Sequence, residues 1–232
     1  MYYISHDIRA KYFGAQRRAE QIEYIAVHYT GNGGMTATAK GNANYFANCP
    51  RKASAHFVID EREIIYCCVD PLYAAYAVGE NNKYTNGGAS MKGKITNANS
   101  ISIEMVSHST PKGEYFIPQE TMERTAELIR ELQYRFNIPI TNIYRHYDVT
   151  GKLCPAPLIK QNEWNEFKQL ITDGDEMITT TKVLVNGEVK EVKRIMKDGE
   201  NYIRLRDFED VLGVCDVDYD AERKLPIIQQ VV

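Results

Sequence analysis

The chain has no long hydrophobic run. None of its stretches approaches the roughly 18 consecutive apolar residues that a membrane span needs. Its opening, MYYISHDIRAKYFG, has no apolar core of signal-peptide length. These two absences predict a protein made in the cytoplasm without a signal peptide and without a place in the membrane. Excess charge of either sign is also missing. The net charge is −3 and the isoelectric point about 6.0, which makes no electrostatic case for a nucleic-acid partner. Cysteine is sparse and odd in number, at Cys49, Cys67, Cys68, Cys154 and Cys215. Cys67 and Cys68 are adjacent, so on a strand their side chains would point to opposite faces. That argues against a disulfide framework and for a reducing compartment.

Hydrophobic residues make up 44% of the 232 positions, enough for a real core in one ordinary domain plus a small one. Residues 1–22 are polar and mixed, and read as a lead-in loop with some helix. Ile25 and Val27 alternate with Tyr24, Ala26 and His28, which predicts a strand opening into a Thr-Gly-Asn-Gly-Gly loop. His28 stands at the end of that strand, either as a ligand or as an interior histidine satisfied by hydrogen bonds. Thr36 to Asn48 reads as a helix capped by Thr36 or Thr38, with Ala39, Ala43 and Phe46 on its buried face. Ala55–Asp60 and Glu63–Cys68 form a hairpin around a tight polar turn. His56 opens its first strand, where core support is the simpler role.

Residues 70–99 are rich in glycine and asparagine and predict a rim around a site. Ser100 to Val106 then alternates cleanly, with Ile101, Ile103 and Met105 toward the core and Ser100, Ser102 and Glu104 the other way. Taken alone, that second face reads as solvated, although Glu is depleted in strands. Pro118 to Phe136 is the strongest helix, with Met122, Ala126, Ile129, Leu132 and Phe136 as its apolar stripe and Asn137 and Pro139 as its stop. Ile143 and Tyr144 make a short strand leading into His146, and a helix follows over Ile159–Ile171.

This order predicts an α/β domain over residues 1–172, with a central mixed β-sheet flanked by helices. Residues 173–177 are a polar, acidic linker. Residues 178–232 form a second, small α+β domain of βαβ type. Its hairpin is centred on Asn186-Gly187, Lys197-Asp198-Gly199 makes another turn, Tyr202–Leu205 a strand, Arg206–Leu212 a short helix and Lys224–Val231 a last strand. So small a unit has little core, and it is expected to dock, dimerise or bind something extended.

The stretch YRHYDVTGKLCP carries the chemistry. His146 and Cys154 lie eight residues apart. That is too far for one helical face and long enough for a loop to fold both onto one metal. Pro155 and Pro157 follow at once, so a regular helix is not expected there. A neutral imidazole and a thiolate both suit zinc. With His28 they would make three protein ligands and leave a fourth position open, the catalytic zinc pattern. Glu104 could then move a proton, and Lys152 could stabilise an oxyanion.

The segments VHYT, SAHFVIDEREI, NANSISIEMV and YRHYDVTGKLCP resemble the type 2 N-acetylmuramoyl-L-alanine amidases. That family includes phage endolysins and the peptidoglycan recognition proteins of animals. The resemblance covers roughly residues 20–172. It implies zinc at His28, His146 and Cys154, with Glu104 and Lys152 as catalytic residues. The implied reaction is hydrolysis of the amide between N-acetylmuramic acid and L-alanine in peptidoglycan, by an endolysin acting at the bacterial wall after release from the cell. Two positions depart from the family pattern: Ala55 stands where some members have tyrosine, and Ala77 where many have a rim histidine. The second domain, through VNGEVKEV and YIRLRDFEDVLG, is similar to the small N-terminal domain of copper amine oxidases, but it contains no histidine. In this setting it implies a wall-binding module or a homodimer contact. The alternative reading of the whole chain is a peptidoglycan-binding protein without catalysis, in which Cys154 would typically be replaced.

Overall fold

The computed structural model describes residues 2–79, 86–173, 178–185, 187–197, 200–203, 207–208, 211–213, 215–220 and 225–230. The chain divides into two compact units, Met1–Gly174 and Asp175–Val232. The first contains strands β1 (Tyr3–Ser5), β2 (Tyr24–Tyr29), β3 (Phe57–Ile59), β4 (Ile64–Cys67), β5 (Ser100–Met105), β6 (His108–Ser109), β7 (Tyr115–Phe116) and β8 (Ile143–Arg145). Its helices are α1 (Ala39–Asn48), α2 (Gln119–Phe136), α3 (His146–Thr150) and α4 (Gln161–Asp173).

Six strands form one sheet in the order β1-β4-β3-β5-β2-β8. Strands β3, β5, β2 and β8 are parallel, β4 runs antiparallel to β3, and β1 is parallel to β4. The mixed sheet expected from the hairpin is therefore present. Alternation along β2 and β5 sends Ile25, Val27, Ile101, Ile103 and Met105 to one face. There they pack on Leu128, Ile129 and Leu132 of α2 and on Trp164, Phe167 and Ile171 of α4. The other face carries α1, whose Ala39, Ala43 and Phe46 pack with Val58 and Cys68. Helix α1 starts where Thr38 Oγ1 accepts a hydrogen bond from the Gly41 N–H at 2.9 Å. Helix α2 ends at Asn137, whose φ of 55° is the left-handed cap conformation.

Four expectations need correction. The lead-in is not a loop with helix alone: Tyr3–Ser5 is an edge strand, and the only helical piece described there is a 3-10 turn at Ala19–Gln21. A three-residue edge strand with Tyr3 65% exposed leaves no alternation to read. The second face of β5 is not solvated, because Ser100 and Ser102 are buried. Ser100 Oγ donates to Thr96 O, and the Ser102 N–H donates to His56 Nδ1, so local partners replace water. His146–Thr150 is a full turn of α-helix rather than loop. Asp148 accepts from the Arg145 N–H at its start, and Gly151 ends it at φ 78°, before the reach of Pro155.

The fourth concerns the second unit. Strands β9 (Ile178–Val185), β10 (Glu188–Lys197) and β11 (Glu200–Ile203) form an antiparallel meander, and β12 (Cys215–Asp220) pairs with β13 (Leu225–Gln230). Every strand pairing there among the described residues is antiparallel, so they show no βαβ unit. Strand β12 was missed because Asp216, Asp218 and Asp220 are poor strand formers. Asn186 of the first turn, Asp198 and Gly199 of the second, residues 174–177 of the expected linker and Arg206, Glu209 and Asp210 of the expected Arg206–Leu212 helix lie outside the described residues.

Candidate active site

Parallel strands β2, β5 and β8 end on the same edge of the sheet, the place where α/β folds present their ligand-binding side chains. His28 and Glu104 are register partners one residue short of that edge. His146 follows β8 directly. The left-handed turn at Gly151 brings the chain back, and the Tyr147 N–H donates to Cys154 O at 2.8 Å. The loop between His146 and Cys154 thus closes on its own start.

The rings of His28 and His146 lie 4.6 Å apart, tilted by 58°. Cys154 Sγ is 3.9 Å from His28 Nδ1. One ligand atom from each of the three residues falls within 4.8 Å of the others, and all three residues are buried. A tetrahedral zinc with bonds of about 2.0 Å to nitrogen and 2.3 Å to sulfur would hold such atoms roughly 3.3–3.5 Å apart. His28 Nε2 is buried with no hydrogen-bond partner among the described residues, a state that buried polar atoms normally avoid. Burial, then the neighbouring His146 and Lys152, holds the His28 pKa well below its ordinary range. Burial and Lys152 bring His146 down to about 3. Both rings are therefore neutral, the form that binds metal. The donor set, two neutral imidazoles and one thiol gathered within 4.8 Å, fits zinc.

Glu104 stands beside this group, and its Oε2 is buried without a hydrogen-bond partner among the described residues. Burial pushes its pKa up to about 8, against the downward pull of Lys152. Glu104, Lys152 and the three metal-binding candidates all line one open cleft of about 600 Å³. Every site residue expected from the sequence is in it. His56 is not. It is fully buried, with Nδ1 accepting from the Ser102 N–H at 2.9 Å and Nε2 3.0 Å from Tyr73 O. An imidazole that accepts at Nδ1 and donates at Nε2 is neutral, and burial with nearby Arg17 takes its pKa to about 3. Core support is the role it fills.

The 70–99 rim contributes Tyr76, Ala77, Gly79 and Asn97 to the cleft. Asn97 Oδ1 accepts from the Ala77 and Val78 N–H groups at 3.1 and 2.8 Å. Arg17, from the lead-in, donates to Pro71 O and Asn97 O and so holds both ends of the rim. Sequence reasoning missed Arg17, since nothing about an arginine in a polar lead-in marks it as buried. It also missed Tyr45 and Arg51, which line the same cleft. The available signal was that Tyr45 falls off the Ala39-Ala43-Phe46 stripe of α1.

The sequence profile of the N-acetylmuramoyl-L-alanine amidase family (Amidase_2) matches residues 18–157. The N-acetylmuramoyl-L-alanine amidase BlyA of Bacillus subtilis strain 168 is 33% identical over 158 residues, which cover 66% of this chain and 41% of BlyA. CwlL of Bacillus licheniformis, of the same name, is 30% identical over 186 residues, covering 77% of this chain and 49% of CwlL. The chain thus spans about half the length or less of these curated relatives. Among solved structures, the catalytic domain of XlyA superposes with a TM-score of 0.56 at 26% identity, over 73% of this chain and 99% of that domain. The matched region contains all five cleft residues singled out above, and the chain belongs to the N-acetylmuramoyl-L-alanine amidase family.

Proposed function

We propose that the protein is a zinc-dependent amidase that hydrolyses the bond between N-acetylmuramic acid and L-alanine in peptidoglycan. The observation that carries this reading is one cleft, at the ends of three parallel strands, holding His28, His146 and Cys154 next to Glu104 and Lys152. His28, His146 and Cys154 hold the metal. Bound zinc supplies Lewis acidity for the scissile carbonyl and for water. Glu104 takes a proton from the attacking water and passes it to the leaving nitrogen. The Lys152 ammonium faces the same space and stabilises the negative charge that develops on the carbonyl oxygen. Cys154 beside both histidines favours the enzyme over a binding protein without catalysis.

The test is digestion of purified cell wall. The reading expects new alanine amino groups and no new reducing sugars. Reducing sugars instead, or equal activity in the Cys154→Ser variant, would overturn it.

The protein is further proposed to act at the cell wall, as an endolysin. No helix among the described residues is long and apolar enough to cross a membrane. Residues 178–232, copper amine oxidase-like by their sequence, serve as a wall-binding or dimerisation module. Every proposed catalytic group lies in the first unit, so chain ending near Asp175 should keep zinc and cleave soluble muropeptide. It should bind intact wall more weakly, because a second contact raises effective concentration there. Light scattering of both forms separates wall contact from dimerisation. No change in either property would dismiss both roles.

A further inference from the structure

The cleft has an electrostatic asymmetry that the proposed chemistry does not use. Its only carboxylate among the described lining residues is Glu104, while Arg51, Lys52 and Lys152 supply three cations. Lys152 belongs to the catalytic end. Arg51 and Lys52 do not. They are exposed and sit on the segment between α1 and β3. Neither has a carboxylate partner among the described residues.

That segment runs into β3, the strand that pairs with β5. Glu104 of β5 is paired with His28 of β2 on one side and with Val58 of β3 on the other. His28 therefore lies on the β2 side of Glu104, while the Arg51–Lys52 segment leads into β3 on its other side and lines the same cleft. The wall is tied down. The Ser54 N–H donates to Tyr76 O at 3.1 Å, and the Tyr76 N–H donates to Ser54 Oγ at 2.9 Å. Arg51 is held as well, since its Nη2 donates to Tyr45 Oη at 2.7 Å. That bond uses one of the five N–H donors of the guanidinium and leaves the others for a ligand.

Because the wall and the metal-binding candidates line one cleft, a substrate with its reacting carbonyl at the metal end can lay one of its two arms along this wall. In a muramoyl peptide the sugar arm is uncharged, while the stem peptide carries carboxylates. We propose that the Arg51–Lys52 wall is the subsite for the stem peptide and takes one free carboxylate of it, so that the protein distinguishes acid from amidated stems. This rests on the amidase reading for the identity of the arms, but the anion preference itself is a property of the wall. A bidentate guanidinium–carboxylate pair adds direction as well as charge. Being open to water, it should be salt-sensitive.

The experiment uses the full-length zinc-loaded chain and soluble muramoyl peptides in which each stem carboxyl is converted to the primary amide in turn. Cleavage and equilibrium binding are both measured. One amidation is expected to lower kcat/KM and binding by about tenfold, the scale of one partly exposed charge-assisted hydrogen bond. In Arg51→Gln/Lys52→Gln the ratio between acid and amide should shrink to below about twofold, and in Tyr45→Phe it should fall part of the way. All three side chains are at the surface, so their replacement leaves the core intact. Equal handling of acid and amide by the wild type, or an unchanged ratio in the double variant, overturns the subsite. If no peptide is cleaved but binding still prefers the acid through Arg51 and Lys52, the subsite stands and the amidase reading falls.

Discussion

Replacing Glu104 by Gln should stabilise the metal-free protein while removing most of its turnover. The carboxyl is held at about 8 by burial, against its ordinary value of 4.5. Below pH 4.5 it is protonated in both the folded and the unfolded chain and costs nothing. Between 4.5 and 8 the unfolded chain releases a proton that the folded chain retains, so stability falls as pH rises. The slope is about 1.4 kcal/mol per pH unit, which gives about 3 kcal/mol at pH 7. Glu104 is only half-buried as a residue, and water reaching the cleft side of the carboxyl reduces this to about 2 kcal/mol. Gln keeps the shape and does not ionise. The assay is urea unfolding of metal-free wild type and Glu104→Gln at pH 5 and pH 7. The variant should gain about 2 kcal/mol at pH 7 and less than about 1 kcal/mol at pH 5. The buried histidines contribute equally to both proteins and cancel. A bound divalent cation favours the charged carboxylate, so the gain should shrink in the zinc-loaded form. Turnover of the loaded variant should drop by about 10²–10⁴-fold. A gain that is the same at both pH values would refute the reasoning, because the carboxyl would then not be the group that titrates.

The remaining predictions concern its neighbours. Cys154→Ser should abolish stoichiometric zinc, and the rise in melting temperature that zinc gives the wild type should vanish with it; metal analysis and a zinc-titrated melt check both. Lys152→Met should lower turnover by about 100-fold. In the metal-free state it should also move the Glu104 titration upward, since Lys152 is the charge that holds it down; carboxyl NMR reads this directly. His56 should stay neutral from pH 7.5 to 5, because its folded pKa is lowered to about 3. Below pH 6.5 the unfolded chain takes up a proton that folded His56 refuses, so this residue should remove about 2 kcal/mol of stability between pH 6.5 and 5. A ring titration midpoint near 6 in the folded protein would refute it.

The parts of the fold that could be read in the sequence are those where periodicity and caps agree. Helix α2 has both an apolar stripe and the Asn137 stop, and it runs from Gln119 to Phe136. Strand β5 alternates through its whole length. What could not be read is short or paired at long range. Strand β1 is three residues of an edge, and its place beside β4 comes from tertiary pairing with residues 61 positions away. Arg17 is buried by a rim that begins more than 50 residues later. The His28-His146-Cys154 group was legible for a different reason: His146 and Cys154 share a segment whose closure is local, and only His28 had to come from elsewhere.

Glu104 was the ambiguous case, and its ambiguity is physical. Alternation along β5 marks Ser100, Ser102 and Glu104 as one polar row, but it cannot say whether water or protein faces the row. In the folded chain the row changes character along its length. Ser100 Oγ is satisfied by Thr96 O, and the backbone of Ser102 is satisfied by His56. Only Glu104 reaches the strand end with a buried oxygen left unpaired. The carboxylate is the member that destabilises the fold, by the amount that the Gln variant measures. A chain selected for stability alone would fill that position with a residue that does not ionise. Strain of this kind is expected where activity needs a group in an unfavourable setting. The unsatisfied end of this row, next to three convergent side chains that could hold a metal, is therefore the strongest structural reason to propose the proton-moving role for Glu104.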